Sequence, residues 1–488
     1  MPLLDRRGFA LLLLVAWAAA YLPHLGTRDL RLEEGRRATV AREMLASGAW
    51  IRPTLYGDTY LHKPPLYPWL VAATGWVIGA VNPLAARLPS ALAALGCALV
   101  ALRFAPKTLD RFTRNLAGLL ALATATVLDK GTLGEIDATL CLLVAGTLKC
   151  WWDGYKPEGQ SSRNWLAVGL LLGAAGLLKG PAGPALFYLT VGPFLVWQRD
   201  VRRLFTRGHA GCLVLAVLPA AVWVIELFDR GVVSGPHLLA IWAHQVGAGS
   251  AVGAPADPEA EAHLVDHYVG FLPQLAGMFL PAILALPIAL RRKWGEVHDV
   301  PESMRRFLVC AVLGPVVAFY LYPEARPRHL MPVAFPMAVL AAVAIGRMSG
   351  RRPVLVATTM AGTMLAGWMT FNVVVVPWRA PLAATRVALH EMAGKLPPDE
   401  PVYTTRTFPV TGEGYYNLQF HLARDVRAAD VETLKRLAPC LAVVTPAETD
   451  QLQQDGWAID EIGRLAARGG PPEVWVIRLK FRERSRPE

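Results

Sequence analysis

The sequence predicts a polytopic α-helical membrane protein that ends in a small soluble α/β domain. Three observations carry this. Of 488 residues, 54% are hydrophobic and only 18% are charged, far from the soluble average. Apolar runs near the roughly 20 residues needed to cross a bilayer recur along most of the chain. From about residue 379 the runs stop, and short β-branched stretches alternate with helical ones.

Eleven apolar runs are read at 8–25, 82–104, 113–129, 137–152, 164–180, 181–198, 208–228, 267–290, 305–322, 329–347 and 353–377. Lys and Arg concentrate in cytosolic loops, which tests the count. With the N-terminus inside, the basic connections Arg6–Arg7, Arg103–Arg114, Lys149–Arg163, Arg199–Arg207, Arg291–Arg306 and Arg347–Arg352 all fall on one side. The net charge of +11 then reflects topology, and no nucleic-acid partner is expected. The first run also resembles a signal peptide, with Arg6 and Arg7 before it and "AWAAA" at its end; an uncleaved anchor suits a polytopic chain better. The six cysteines contain no C-x-x-C pair, so neither a zinc cluster nor a disulfide framework is indicated.

This parity gives two domains: residues 1–378 in the membrane and 379–488 as a soluble periplasmic α/β domain. The first carries two outer loops, an amphipathic one at 26–81 and a Gly-, Ala- and Pro-rich flexible one at 229–266. In the tail, "PVYTT", "CLAVVTP" and "EVWVIRLKF" read as strands, with "AADVETLKRLA" and "AETDQLQQDG" as helices between them. No phosphate-binding glycine loop or H-E-x-x-H occurs there, so no chemistry is expected of it.

The first outer loop is where chemistry is expected. In "EEGRRATVAREML", Val40, Ala41, Met44 and Leu45 recur at helical spacing while Arg36 and Glu43 fall opposite, which predicts a helix lying on the membrane surface. Glu33 and Glu34 open that helix, whose N-terminus favours a carboxylate. Arg28, Arg31, Arg36, Arg37, Arg42, Arg52 and Lys63 share the loop, against the usual scarcity of basic residues outside. They can pair with the glutamates or with lipid headgroups; as a set they suit an anion, and phosphate is the obvious one. In "LHKPPLYPW" two prolines force an extended turn that projects Lys63. Asp129, Glu135 and Asp137 form a second acidic group at an outer mouth. Asp137 is a site candidate because a charge there is costly beside hydrocarbon, or else it is a helix N-cap. Lys179 in "LLKGPAG" and Arg326, Arg328 and His329 in "EARPRHLMP" share that outer level.

With these motifs in order, the sequence resembles the polyprenyl-phosphate-dependent glycosyltransferases of the GT-C class, in the branch of the lipid A aminoarabinose transferase and protein-mannosyltransferase-like enzymes. "EEGRRATVAREMLASGAWIRP" is similar to the family's acidic first-loop motif, "LHKPPLYPWL" to its Lys-Pro element and "LLKGPAG" to its Lys-Gly-Pro. "ARLPSAL", "HYVGFLPQLAGMFLP" and "RHLMPVAFPMAVL" match further elements. The resemblance implies the GT-C fold with about 11–13 transmembrane helices, in a bacterial inner membrane, with an inverting active site on the periplasmic side. It places the catalytic acid on Glu33 (an aspartate in the family, which leaves Glu34 as the alternative), a second acid on Asp137, and the phosphate-binding lysine on Lys63. Arg36, Arg37, Lys179, Arg328 and His329 would assist in holding the donor phosphate. It implies a polyprenyl-phosphate sugar as donor, lipid A, a glycan or a protein as acceptor, membrane lipids as partners, and no cofactor required for catalysis. A divalent metal such as zinc, held by His62 and His244 in the outer loops, follows from the same resemblance. The rival classes are a lipid or polysaccharide transporter, which would place ionisable groups at mid-membrane, and a lipid-linked polysaccharide ligase, which would carry its arginines in a late loop.

Overall fold

The computed structural model describes residues 6–23, 25–28, 30, 32–156, 159–245, 258–290, 300–323, 325–348, 351–376, 391–397, 400–405, 425–466 and 472–482. They divide into two compact units: Met1–Leu25 with Leu61–Leu70 and Arg87–Val373, and Gly26–Tyr60 with Val71–Ala86 and Val374–Glu488.

The first unit is helical. All eleven expected runs fall on helices, but by length and apolarity only Pro83–Phe104, Arg207–Asp229, Glu302–Tyr320, Pro327–Gly346 and Arg352–Val375 suffice to cross a membrane among the described residues, or six spans if the bent pair His267–Met278 and Ala282–Ala289 counts as one. That pair turns through 99°. The run at 113–129 is broken too, into Arg111–Ala123 and Ala125–Gly131. Thr124 is extended there, and the Ala125 N–H donates to the Leu280 carbonyl at 2.9 Å. The backbone donor released by the break is thereby satisfied. Two helices were not anticipated, Gly235–Gln245 and Leu66–Ile78; the 13 residues of the latter extend about 20 Å, short of the ~30 Å hydrocarbon core.

Burial sorts these helices. The apolar stretch of Pro327–Gly346 is 89% enclosed, against 17% for Arg207–Asp229 and Arg352–Val375, so the first is central and the other two present apolar faces outward, as lipid contact requires. Small residues allow close approach between helices. A Cβ added at Gly173 would lie 2.6 Å from the Leu215 carbonyl, and one at Gly314 would lie 2.0 Å from that of Leu189. The expected loop at 229–266 contains the helix Gly235–Gln245. Its Trp242 stacks on Trp223 and donates from Nε1 to the Leu61 carbonyl at 3.0 Å, so this half is anchored and not a free flap. Residues 246–257 lie outside the described residues.

The second unit contains a five-stranded sheet in the order Val426–Ala429, Val402–Thr405, Cys440–Val444, Pro472–Arg482, Trp457–Ala466. The first three strands are parallel and the last two join antiparallel. The three expected strands and both helices, Val431–Leu437 and Pro446–Gln454, are present. The latter begins with a reciprocal Thr445–Glu448 capping box. The two unexpected strands are the sheet's edges. Their sequences, "VRAA" and "WAIDEIGRLA", carry the charge that edge strands tolerate, which hides their periodicity.

Residues 26–60 and 71–86 group with this sheet, although they precede it by hundreds of residues. The expected first-loop helix spans Leu32–Ser47, but it does not lie half-exposed on a surface. Glu34, Ala38, Thr39, Val40, Ala41, Met44 and Arg37 are all buried, which covers nearly every face. Glu43, expected to face away, is turned inward onto the hairpin Thr54–Leu55/Asp58–Thr59. Helical spacing located the apolar stripe but gave no hint that its polar flank also had a partner.

Candidate active site

In the first unit Asp137 lies in the first turn of the helix Ile136–Gly154. The N-cap is Glu135, which makes no side-chain capping bond, so the N-cap alternative for Asp137 does not hold. Lys179 ends the helix Ser162–Lys179, stopped by Gly180 at φ 60° and by Pro181, and only glycine takes that conformation without strain. Each charge thus sits at the helix end that favours it. Lys179 Nζ meets Asp137 Oδ1 at 2.5 Å, with side chains 14% and 12% exposed.

His329 lies in the 3₁₀ turn Pro327–Val333 that opens the enclosed helix. The charges of Lys179, Arg328, Asp137 and Lys63 all act on its ring. Three cations and one carboxylate among the predicted residues thus act electrostatically on one imidazole, and two of them, Asp137 and Lys179, are in direct contact. Lys63 lies in the bent, non-helical Leu61–Pro65 segment. That segment is held at both ends: Trp242 binds the Leu61 carbonyl, and the Tyr67 hydroxyl pairs with Ser90 Oγ at 2.7 Å, which in turn donates to the Glu135 carbonyl at 2.8 Å. Neither Tyr67 nor Ser90 was legible as a support, because a lone tyrosine and serine on apolar helices carry no motif.

The other two outer acids lie near one lysine, and Asp129 is exposed. Glu135 pairs with Lys130 at 2.9 Å, and Asp129 lies 3.7 Å from the same lysine.

In the second unit Glu33 stands in the first turn of Leu32–Ser47. Its carboxylate, 39% exposed, is bound by Arg36 at 3.1 Å and Arg37 at 3.0 Å. Arg37 also donates to the Glu33 carbonyl at 3.1 Å. A phosphate taken up by these two arginines would compete with that carboxylate. Glu34 is fully buried. The two candidate acids thus have different surroundings, one half-open beneath two guanidinium groups and one enclosed.

His62 is exposed, whereas the side chain of His244 lies outside the described residues. Among the described residues no group of three or more His, Cys, Asp or Glu side chains comes together as a metal site, so the expected zinc pair gains no support.

Residues 62–225 match the family model described as dolichyl-phosphate-mannose-protein mannosyltransferase. The undecaprenyl phosphate-alpha-4-amino-4-deoxy-L-arabinose arabinosyl transferase of Erwinia tasmaniensis is 27% identical over 338 residues, 68% of this chain and 59% of the relative. Its counterpart in Yersinia enterocolitica is 28% identical over 346 residues, 70% of this chain and 60% of the relative. The chain thus spans about three fifths of the length of these relatives. In three dimensions it superposes on ArnT from Cupriavidus metallidurans bound to undecaprenyl phosphate with a TM-score of 0.74, at 19% identity and over 98% of both chains. The oligosaccharyltransferase of Archaeoglobus fulgidus in the apo form gives 0.53 at 12% identity, over 94% of this chain and 70% of that one. The chain is therefore a multi-pass membrane protein of the GT-C fold with a small C-terminal sheet domain, and its residues 62–225 are similar to the dolichyl-phosphate-mannose-protein mannosyltransferases.

Proposed function

We propose that the chain is an inverting glycosyltransferase that moves a sugar from a polyprenyl phosphate to an acceptor on the periplasmic face of a bacterial inner membrane. The observation that carries this is the cluster of Lys63, Lys179 and Arg328 with Asp137 around His329. Lysine and arginine side chains gathered at a membrane protein's helix ends suit an anion, and a lipid phosphate is the anion delivered there. Relatives named as undecaprenyl-phosphate arabinosyl transferases support the same donor class.

In the reaction an acceptor oxygen attacks the sugar C1. The C1–O bond to the phosphate breaks with its electron pair passing to the leaving polyprenyl phosphate, and the acceptor proton goes to a carboxylate. Charge on the phosphate rises as the bond breaks, so fixed cations stabilise the transition state more than the bound donor. Asp137 holds the Lys179 ammonium in place and limits the surplus charge, which keeps the product phosphate releasable. The role of base rests with Glu33 on the family resemblance, with Glu34 as its alternative. Attack opposite the leaving group inverts C1. No metal is needed in this scheme, because the lysines and Arg328 supply the charge. Lipid A is the acceptor favoured by the kinship; a glycan or a protein would use the same chemistry.

The deciding experiment is transfer by purified full-length chain in lipid nanodiscs, offered either a polyprenyl monophosphate sugar or the matching nucleotide sugar. Turnover is expected only with the lipid donor. Turnover with the nucleotide sugar in the absence of carrier lipid would defeat the proposal.

A further inference from the structure

The hairpin after the first-loop helix departs from the rule for its class. Strands Thr54–Leu55 and Asp58–Thr59 are joined by the two residues Tyr56 and Gly57, at φ 55° and 83°. Two-residue turns with both φ positive favour Asn-Gly or Asp-Gly, and a tyrosine there is strained by about 1–2 kcal/mol. Such strain persists only where the surroundings over-determine it. Two sets of contacts do so.

The first is Glu43, near the end of the helix Leu32–Ser47 that begins with Glu33. Its carboxylate accepts from Thr54 Oγ1 at 2.5 Å, from the Tyr56 N–H at 2.6 Å and from the Gly57 N–H at 3.3 Å. One side chain thus binds the whole turn. The second is the sheet domain. Tyr56, 1% exposed, sits in a core made of Met392, Leu396, Val402, Val426, Leu441 and Val443. Its carbonyl accepts the Ala428 N–H at 2.8 Å, so the turn also covers part of the edge strand Val426–Ala429. Tyr56 suits the C-terminal core and is a poor choice for the turn.

We propose that Glu43 and Tyr56 are positioning residues that couple the C-terminal sheet domain to the helix bearing Glu33. The sheet domain, in which no catalytic motif is found, then contributes to transfer by holding that helix in register. This rests on the proposed function only for its kinetic consequence; the coupling itself is a structural claim.

Three variants of the full chain test it in nanodiscs: Glu43→Gln, Glu43→Ala and Tyr56→Asn. The last gives the turn the residue type it prefers and removes the ring from the core. Hydrogen exchange of the Leu32–Ser47 and Val426–Ala429 amides should accelerate together by about ten-fold or more in Tyr56→Asn and Glu43→Ala, with Glu43→Gln, which keeps an oxygen acceptor, in between. Unchanged exchange in either segment for Tyr56→Asn and Glu43→Ala, or a Tyr56→Asn chain as protected as the parent, would overturn the coupling. With a polyprenyl monophosphate sugar, kcat should fall by about ten-fold while the donor KM stays within about two-fold, and Gln at position 43 should partly rescue Ala. A raised donor KM with kcat intact would refute the positioning role. A parent chain that transfers nothing would remove the proposed function while the exchange results still decide the coupling.

Discussion

The Asp137–Lys179 pair offers the sharpest test of the cluster, because its surroundings set the expected magnitude. Exposed ion pairs contribute about 0–1 kcal/mol, and removing one partner of a fully buried pair costs about 3–5 kcal/mol. This pair, at 2.5 Å with 12–14% exposure, lies between these limits and nearer the second. Asp137→Asn and Lys179→Gln should each destabilise the chain by about 2–3 kcal/mol, the cost of leaving a poorly solvated charge beside a neutral group. The double variant should lose much less than their sum, with a coupling energy of about 1.5–2 kcal/mol. Thermal unfolding in one detergent, compared across the four proteins, measures this cycle. Donor affinity separates site from strut. Asp137→Asn removes the carboxylate that binds Lys179 and should tighten binding of a polyprenyl phosphate, whereas Lys179→Gln should weaken it. Additive destabilisation, or equal donor affinity in both single variants, would show that the pair neither couples nor sets the charge of a phosphate site.

Lys63→Ala should weaken donor use by about 1.5–3 kcal/mol, the range for a hydrogen bond to a charged group, read as a rise in donor KM; an unchanged KM removes Lys63 from the phosphate site. Glu33→Gln should leave folding intact and lower kcat by about 10²-fold or more; near-normal turnover would move the role of base to Glu34 or abolish it. For pH, burial lifts the Glu43 carboxyl above the ordinary glutamate value against the pull of its Thr54, Gly57 and Tyr56 donors. A carboxyl raised in the folded state binds its proton more tightly there than in the unfolded chain, so it stabilises the fold below its folded pKa and loses that contribution as pH rises through it. The melting temperature of the parent relative to Glu43→Gln should therefore improve as pH falls from neutral towards the ordinary glutamate range; a difference that stays flat all the way down to that range would contradict the shift. A reporter fused after Arg379 should read out as periplasmic and one near Arg292 as cytosolic, and a cytosolic tail would mean an odd error in the crossings.

How much of this was legible depended on whether a residue's partner could be inferred from its own neighbourhood. Most helices and three of the five strands follow from periodicity that acts within a few residues. The candidate phosphate residues were also legible one at a time, because a lysine held by Pro64 and Pro65, or one ending a helix before Gly180, stands out against apolar sequence. Which of them pair was not, since Asp137 and Lys179 meet only after helices far apart in sequence have packed. Glu43 marks the limit most clearly. At helical spacing it falls on the polar side of its helix, where a carboxylate is ordinarily left to water, and nothing local distinguishes it from the neighbouring Arg42. Its partners are the backbone of a turn, and a backbone N–H leaves no signature in composition. The one clue was Tyr56 in front of Gly57, where asparagine would be cheaper. An unfavourable residue at a turn is a request for an explanation from elsewhere in the chain, and here the explanation is the core of a domain more than three hundred residues away.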